Sequence, residues 1–168
     1  MDVLEPFNHE TGYFSFTDLV VKLLSSGRTM STAESCTGGL ISALLTSVPG
    51  SSDWFKGGIV AYSNEIKQNL LKVDPEIIRK YGAVSEETAL AMAAGAREAL
   101  NVHCSLAVTG LAGPGGATPN KEVGTVCFAW NIEGKQSSAT QVFEGTRKDV
   151  RLCSVREAIK GLSERLKD

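Results

Sequence analysis

The chain has 168 residues, 42% apolar and 21% charged, with a formal net charge of −2; this describes one globular domain and offers no basic field to hold nucleic acid. Four cysteines without a CxxC pair and two histidines, His9 and His103, leave no set of zinc ligands, and no metal or cofactor is expected. No apolar run reaches membrane-spanning length, and Asp2 and Glu5 stand where a secretory signal would be basic, so the expected home is the cytosol, without a membrane partner.

Residues 1–14 show no clear period and read as an N-terminal arm; residues 15–168 read as a single domain. From Thr17 to Gly27, Leu19, Val20, Leu23 and Leu24 recur on one helical face. "RTMSTAE" reads as a short strand, and Gly38 to Val48 as a helix with Leu40, Ile41, Leu44 and Leu45 inward. Ser52 suits the cap of a turn through Trp54 and Phe55. "GGIVAY" is apolar enough for a buried strand, and Ser63 can cap "NEIKQNLL". Asp74 followed by Pro75 opens a further helix that Gly82 stops; Ser85 opens an alanine-rich one running to about Leu100. "CSLAVT" is a third apolar strand, and residues 110–120 are too rich in glycine and proline for regular structure. "GTVCFAW" and "SSATQVF" flank a Glu133–Gly134 turn as an antiparallel hairpin, and a last helix starts near Thr146. Alternating strands and helices followed by a hairpin predict a three-layer α/β/α domain whose mixed sheet combines parallel βαβ units with an antiparallel pair.

Strands joined by helices run parallel, and ligands gather beyond their carboxyl ends. Three such exits carry chemistry. At "ESCTGG", Ser35 or Cys36 could be a nucleophile beside helix-start amides that hold an oxyanion. The bland alternative is that Ser35 or Thr37 only caps the helix and Cys36 is a small core residue. Neither histidine is placed to serve as base, whereas Lys67, in the first turn of a helix capped by Ser63, loses its proton more readily through burial and the helix dipole. Its alternative is a solvated lysine with a packed stem. The residues alone leave Ser35 and Cys36 both open. At the third exit, the loop after Thr109 and Gly110 lets main-chain amides cradle a phosphate or close over a ribose. Arg147 and Arg151, one helical turn apart, could grip that phosphate or form a solvated basic face. Trp54 and Phe55 could stack on a ring, but packing in the core or, if exposed, at an interface is the role expected of them, and a homo-oligomer is the expected assembly.

Together, "TAESCTGG", "PGSSDWFKGGIVAYSNEIK", "GAVSEETA", "VTGLAGPGG", "VGTV" and "RKDVR" resemble the CinA C-terminal domain family from about Thr17 onward. That resemblance implies a metal-independent amidohydrolase that converts nicotinamide mononucleotide to nicotinic acid mononucleotide and ammonia in pyridine-nucleotide recycling. Carried over by motif, it implies Ser35 as nucleophile, Lys67 as its base, and Tyr62, Ser63 and Asn64 as the pocket segment. Thr109, Gly110 and Gly113 match the family's nucleotide loop, and Arg147 its phosphate-side arginine. The mechanism built on this has the backbone of Cys36, Thr37 and Gly38 around the oxyanion and Tyr62 or Lys67 returning a proton to ammonia. Two positions depart from the family: Glu122 where proline is common before "VGTV", and Thr146 where aspartate is common in "GDR". The nucleotide pyrophosphatase domain of larger members is not expected within these residues. A non-catalytic nucleotide-binding module and an amidase for another small amide are the alternatives.

Overall fold

The computed structural model describes residues 10–166. Its elements in chain order are α1 (Glu10–Ser26), β1 (Met30–Glu34), α2 (Leu40–Thr46), a 3₁₀ turn (Ser51–Asp53), β2 (Phe55–Val60), α3 (Asn64–Leu71), α4 (Pro75–Tyr81), α5 (Glu86–Ala99), β3 (Cys104–Gly110), β4 (Thr125–Ile132), β5 (Lys135–Val142) and α6 (Arg147–Arg165). Of the expected arm 1–14, residues 1–9, His9 among them, lie outside the described residues, and α1 already takes in 10–14.

The sheet has strand order β2-β1-β3-β4-β5. β1 is parallel to β2 and to β3, while β4 is antiparallel to both β3 and β5. The layers follow from alternation along the strands. Met30, Leu106, Val108, Phe128 and Trp130 pack with Leu19, Leu45, Val155 and Leu162 of α1, α2 and α6. Ala33, Ala107 and Ala129 face the opposite way, against Leu71, Met92, Ala93 and Ala96 of α3 and α5. Small residues on that second face bring the helices close. Ser31 and Ser105 hydroxyls donate to the Ala96 and Ala93 carbonyls of α5, and a Cβ on Gly95 would stand 1.9 Å from the Leu71 carbonyl oxygen.

The three-layer mixed α/β fold expected from the sequence is therefore the one observed. Several local expectations are corrected. β2 is an edge strand, alternately buried and exposed, because it pairs with β1 alone. α2 begins at Leu40, not Gly38, because Gly38 and Gly39 both take positive φ in the turn before it. Leu24 is half-exposed, on the outer side of α1. Trp54 and Phe55 are buried, at 2% and 8% exposure, so they belong to the core and form no exposed patch. Gly50 precedes the 3₁₀ turn where Ser52 was expected to cap it. The hairpin turn is as expected: Glu133 and Gly134 have φ of 53° and 91°, as a two-residue turn of this hand requires.

Because β1, β2 and β3 are parallel, residues 35, 61 and 111 leave the sheet along one edge. The hairpin brings β5 back to that edge, since Thr125 pairs with Val142, and α6 starts there five residues later. The chain from β1 departs toward β2 while that from β3 departs toward β4, so a crevice opens between β1 and β3, where open α/β sheets bind ligands.

Candidate active site

Ser35 is the first residue beyond β1. Its amide donates to the Val108 carbonyl of β3 (2.9 Å), which anchors it in the crevice. Its side chain meets Lys67, which α3 supplies from the other exit. Ser63 caps α3 by accepting from the Ile66 amide at 3.2 Å, so Lys67 falls one turn into the helix and points back over the sheet edge. Lys67 Nζ lies 3.0 Å from Ser35 Oγ. The same nitrogen donates to the carbonyls of Ala61 (2.9 Å) and Tyr62 (3.3 Å).

Those three contacts have a chemical reading. A neutral amine has two N–H donors and one lone pair. With the two carbonyls taking those donors, the lone pair of a neutral amine would face the serine hydroxyl; protonated, the same nitrogen would donate its third N–H to that hydroxyl. Lys67 is 2% exposed, and burial pushes its pKa below the ordinary lysine range; a Cys36 thiolate would act in the opposite sense. Among the described residues, no ion pair joins Lys67 to a carboxylate that would hold its proton.

Cys36 differs in every respect. It is 5% exposed, packed in the α1/α2/α6 core, and its thiol is pushed up to about 12, chiefly by burial. A thiol at that value carries almost no thiolate near neutrality.

The turn after Ser35 departs from the expected helix mouth. Neither Ser35 nor Thr37 caps α2. The cap is Glu34, the last residue of β1, whose fully buried carboxylate accepts from the amides of Gly39 (2.9 Å), Ile41 (3.1 Å) and Ser42 (2.8 Å) and from the Ser42 hydroxyl (2.7 Å). The Gly38 amide, expected among the oxyanion donors, is spent on the Ser35 carbonyl at 3.1 Å. The amides of Cys36 and Thr37 have no such acceptor among the described residues. Sequence reasoning passed over Glu34 as a cap because it precedes α2 by six positions. The available signal was an acid at the end of an otherwise uncharged strand.

The remaining expected residues divide. Arg147, the first residue of α6, donates from Nη1 to the Gly113 carbonyl (2.8 Å) and from Nη2 to the Tyr62 hydroxyl (3.1 Å). It thereby joins the glycine-rich loop to the pocket segment. Tyr62 is 61% exposed, so its ring stands at the open side of the site. Asn64 is exposed at the start of α3, beside the Ser63 cap. Thr109 is buried, and its hydroxyl donates to the Ala83 carbonyl at 2.8 Å, a structural engagement away from the loop. Gly110 stays in register opposite Val126, whose side chain leaves no room for a Cβ there. Arg151, one helical turn along α6 from Arg147, directs its guanidinium to the carbonyls of Cys36 (3.1 Å) and Thr37 (2.8 Å). His103 is far from this edge, bonded through Nδ1 to the Thr29 amide at 3.1 Å.

A separate open cleft of about 600 Å³ lies between α5 and the β4–β5 ends, lined by Ser85, Glu86, Lys121 and Thr140 among others. It holds none of the residues above. Its Glu86 carboxylate is taken by the Ser138 (2.6 Å) and Thr140 (2.7 Å) hydroxyls, so it reads as packing between layers.

The family model described as CinA C-terminal domain matches residues 15–166. The chain belongs to the CinA C-terminal domain family. A CinA-like protein of Mycolicibacterium paratuberculosis is 49% identical over 156 residues, and one of Mycobacterium tuberculosis is 51% identical over 138. These alignments take in 90% and 82% of this chain but 36% and 32% of the relatives, so the chain spans about a third of their length. Among solved structures, the competence damage-inducible protein A of Klebsiella pneumoniae superposes with a TM-score of 0.90 at 33% identity, covering 94% of this chain and 98% of that one. The competence/damage inducible protein CihA of Agrobacterium tumefaciens gives 0.86 at 37% identity, covering 91% and 94%. The CinA fold thus accounts for the whole of the sheet and both helical layers. The two departures from the family pattern also find their places. Thr146 caps α6, with Asp149 completing a capping box, so threonine serves as a helix cap there. Glu122 is exposed, and its carbonyl accepts from the Thr125 amide and hydroxyl. No helix among the described residues is long and apolar enough to cross a membrane.

Proposed function

We propose that the protein hydrolyses the carboxamide of nicotinamide mononucleotide, giving nicotinic acid mononucleotide and ammonia, with Ser35 as nucleophile and Lys67 as general base. The observation that carries this reading is the 3.0 Å approach of a buried lysine to a serine hydroxyl, with that lysine's other contacts being carbonyls.

The steps follow from proton and charge balance. Neutral Lys67 removes the Ser35 proton as the oxygen attacks the carboxamide carbon. The carbonyl π pair moves onto oxygen, and the free amides of the 36–37 turn hold the resulting oxyanion; one such donor is worth roughly 3 kcal/mol. The oxyanion collapses, the C–N bond breaks, and ammonia leaves with the proton that Lys67 carried. Tyr62 is the other group at hand to pass that proton. Water then attacks the acyl-serine, Lys67 accepts its proton, and Ser35 regains one as nicotinic acid mononucleotide departs. Metal chemistry is not needed for any of these steps.

The mononucleotide is favoured over free nicotinamide by Arg147. Two of its donors fix the Gly113 loop and Tyr62 at 2.8 and 3.1 Å. The guanidinium offers five N–H groups, so others remain for a phosphate at the start of α6. Family membership supports the assignment at the level of fold and motif.

The test is ammonia release from a panel: nicotinamide mononucleotide, nicotinamide riboside, free nicotinamide, asparagine and glutamine. The mononucleotide should be turned over well ahead of the riboside. Turnover of a simple amide in preference to the mononucleotide would replace the substrate. Tight mononucleotide binding by calorimetry without ammonia would make the domain a binding module.

A further inference from the structure

Lys121 takes no part in the proposed chemistry, yet it fixes the loop that the chemistry leans on; its meaning for substrate rests on the reading of that loop as the mononucleotide's anchoring side. The loop leaves β3 and returns to β4 through a closed base. The Leu111 amide donates to the Thr125 carbonyl (2.8 Å), and the Gly124 amide to the Leu111 carbonyl (2.7 Å). Above the base its two legs meet, where a Cβ on Gly113 would stand 2.6 Å from Val123 Cγ1. One leg borders the site, because Arg147 joins the Gly113 carbonyl to the Tyr62 hydroxyl. Residues 114–120 beyond it are exposed. The backbone bonds across this tip are those between Thr118 and Lys121, at 2.8 and 3.2 Å.

An exposed tip on a glycine-rich leg has little of its own to hold it still. Lys121 supplies the restraint. Its ammonium donates to the carbonyls of Tyr81 (3.0 Å) and Val84, on the connection between α4 and α5. That connection is itself fixed. The Gly82 carbonyl accepts from the hydroxyls of Ser85 (3.0 Å) and Thr88 (2.7 Å) at the start of α5, and the Ala83 carbonyl from the Thr109 hydroxyl of β3 (2.8 Å). Every carbonyl from Tyr81 to Val84 is thus engaged, the first and the last by Lys121. Tyr81 is also the last residue of α4, and the carbonyl end of a helix favours a cation. No ion pair among the described residues diverts the Lys121 ammonium to a carboxylate.

We propose that Lys121 is a positioning residue for mononucleotide binding: by pinning the tip of the 111–124 loop to the 81–84 connection, it holds the exposed backbone beyond Gly113 in one place. A loop ordered before its ligand arrives binds more tightly than one the ligand must order. Lys121 touches no reacting atom, so its contribution lies in affinity and not in the acylation of Ser35.

The experiment compares the full chain with Lys121→Met and Lys121→Arg, each checked for folding by thermal unfolding. Should Lys121→Met not fold, Lys121→Gln, one bond shorter than lysine, carries the measurement. Proteinase K cleavage within 113–122 is read on the free protein. Kd for nicotinamide mononucleotide is read by calorimetry in a Ser35→Ala background. The remaining readouts are kcat and KM for ammonia release and the Ser35-dependent burst of p-nitrophenolate from p-nitrophenyl acetate. In Lys121→Met the loop should be cut faster, and Kd and KM should rise roughly tenfold, as when the binding-competent loop falls to about a tenth of the population. The burst and kcat should stay near wild type. Lys121→Arg, whose guanidinium can also donate to two carbonyls, should restore the wild-type Kd and cleavage rate. Unchanged Kd and KM, or unchanged cleavage, overturn the proposal, as does a fall in the burst as large as the rise in KM. A protein that binds the mononucleotide but releases no ammonia refutes the hydrolysis reading alone, and Lys121 is then judged on Kd. A protein that does not bind it overturns both.

Discussion

Lys67 concentrates the chemistry at the scale of single residues. A buried amine is costly when charged, and that cost lets it release its proton at lower pH than an ordinary lysine. The rate should therefore rise with pH as Lys67 loses its proton, below the ordinary lysine value of 10.5, and level off above. Lys67→Ala should lower kcat by about 10³-fold with less effect on KM, read from initial rates across pH. Stability follows the same titration. The unfolded chain keeps this proton up to about the ordinary value, and the folded chain releases it earlier, so between the two the unfolded state binds more protons and stability rises with pH. Below that window the buried amine is most destabilising. Lys67→Met should accordingly raise Tm, and its advantage over wild type should shrink as pH climbs through the window. Thermal unfolding of both proteins across pH checks this; a constant difference would contradict a shifted Lys67.

Elements deliver these residues, and their contacts set what each delivery costs to disturb. Glu34 couples β1 to α2 through three amides and a hydroxyl. Glu34→Ala would strand those donors, with an expected loss of about 3 kcal/mol in urea unfolding. α3, which carries Lys67, lies against Gly95 of α5 so closely that an alanine Cβ would fall 1.9 Å from the Leu71 carbonyl oxygen. Gly95→Ala should cost about 2 kcal/mol and also lower the burst rate of Ser35, because α3 must shift and take Lys67 with it. Thr146→Ala removes a helix cap at the start of α6 and should cost about 1 kcal/mol, whereas Thr146→Asp should be close to neutral. The sequence made most elements legible because their period and punctuation are local: Asp74–Pro75, Ser85 and Glu133–Gly134 each mark a boundary by backbone chemistry alone. It did not disclose that β2 is an edge, since that depends on strand order. The long-range bonds of Glu34 and Arg151 were hidden for the same reason.

Across the whole molecule, the site exists because three parallel strands and a returning hairpin bring residues 35, 67, 113 and 147 to one edge of the sheet. The expected meeting of Ser35 with Lys67 and of Arg147 with the glycine loop was available from the parallel-strand argument, supported by the family resemblance. The spent hydroxyl of Thr109 was not, because its partner Ala83 lies in a connection that sequence alone does not place. On the proposed function, this edge divides into a reacting end at Ser35 and an anchoring end at Arg147. Arg147→Ala should therefore raise KM for the mononucleotide by roughly tenfold or more while leaving kcat less affected, given that a charge-assisted contact is worth about 1.5–3 kcal/mol.

The most direct test compares ammonia release by Ser35→Ala and Cys36→Ala at saturating nicotinamide mononucleotide. Ser35→Ala should lose roughly 10⁴-fold in rate or more, and Cys36→Ala should retain most of it. Retained activity in folded Ser35→Ala, or its disappearance in folded Cys36→Ala, would contradict a nucleophilic Ser35 deprotonated by its neighbouring lysine.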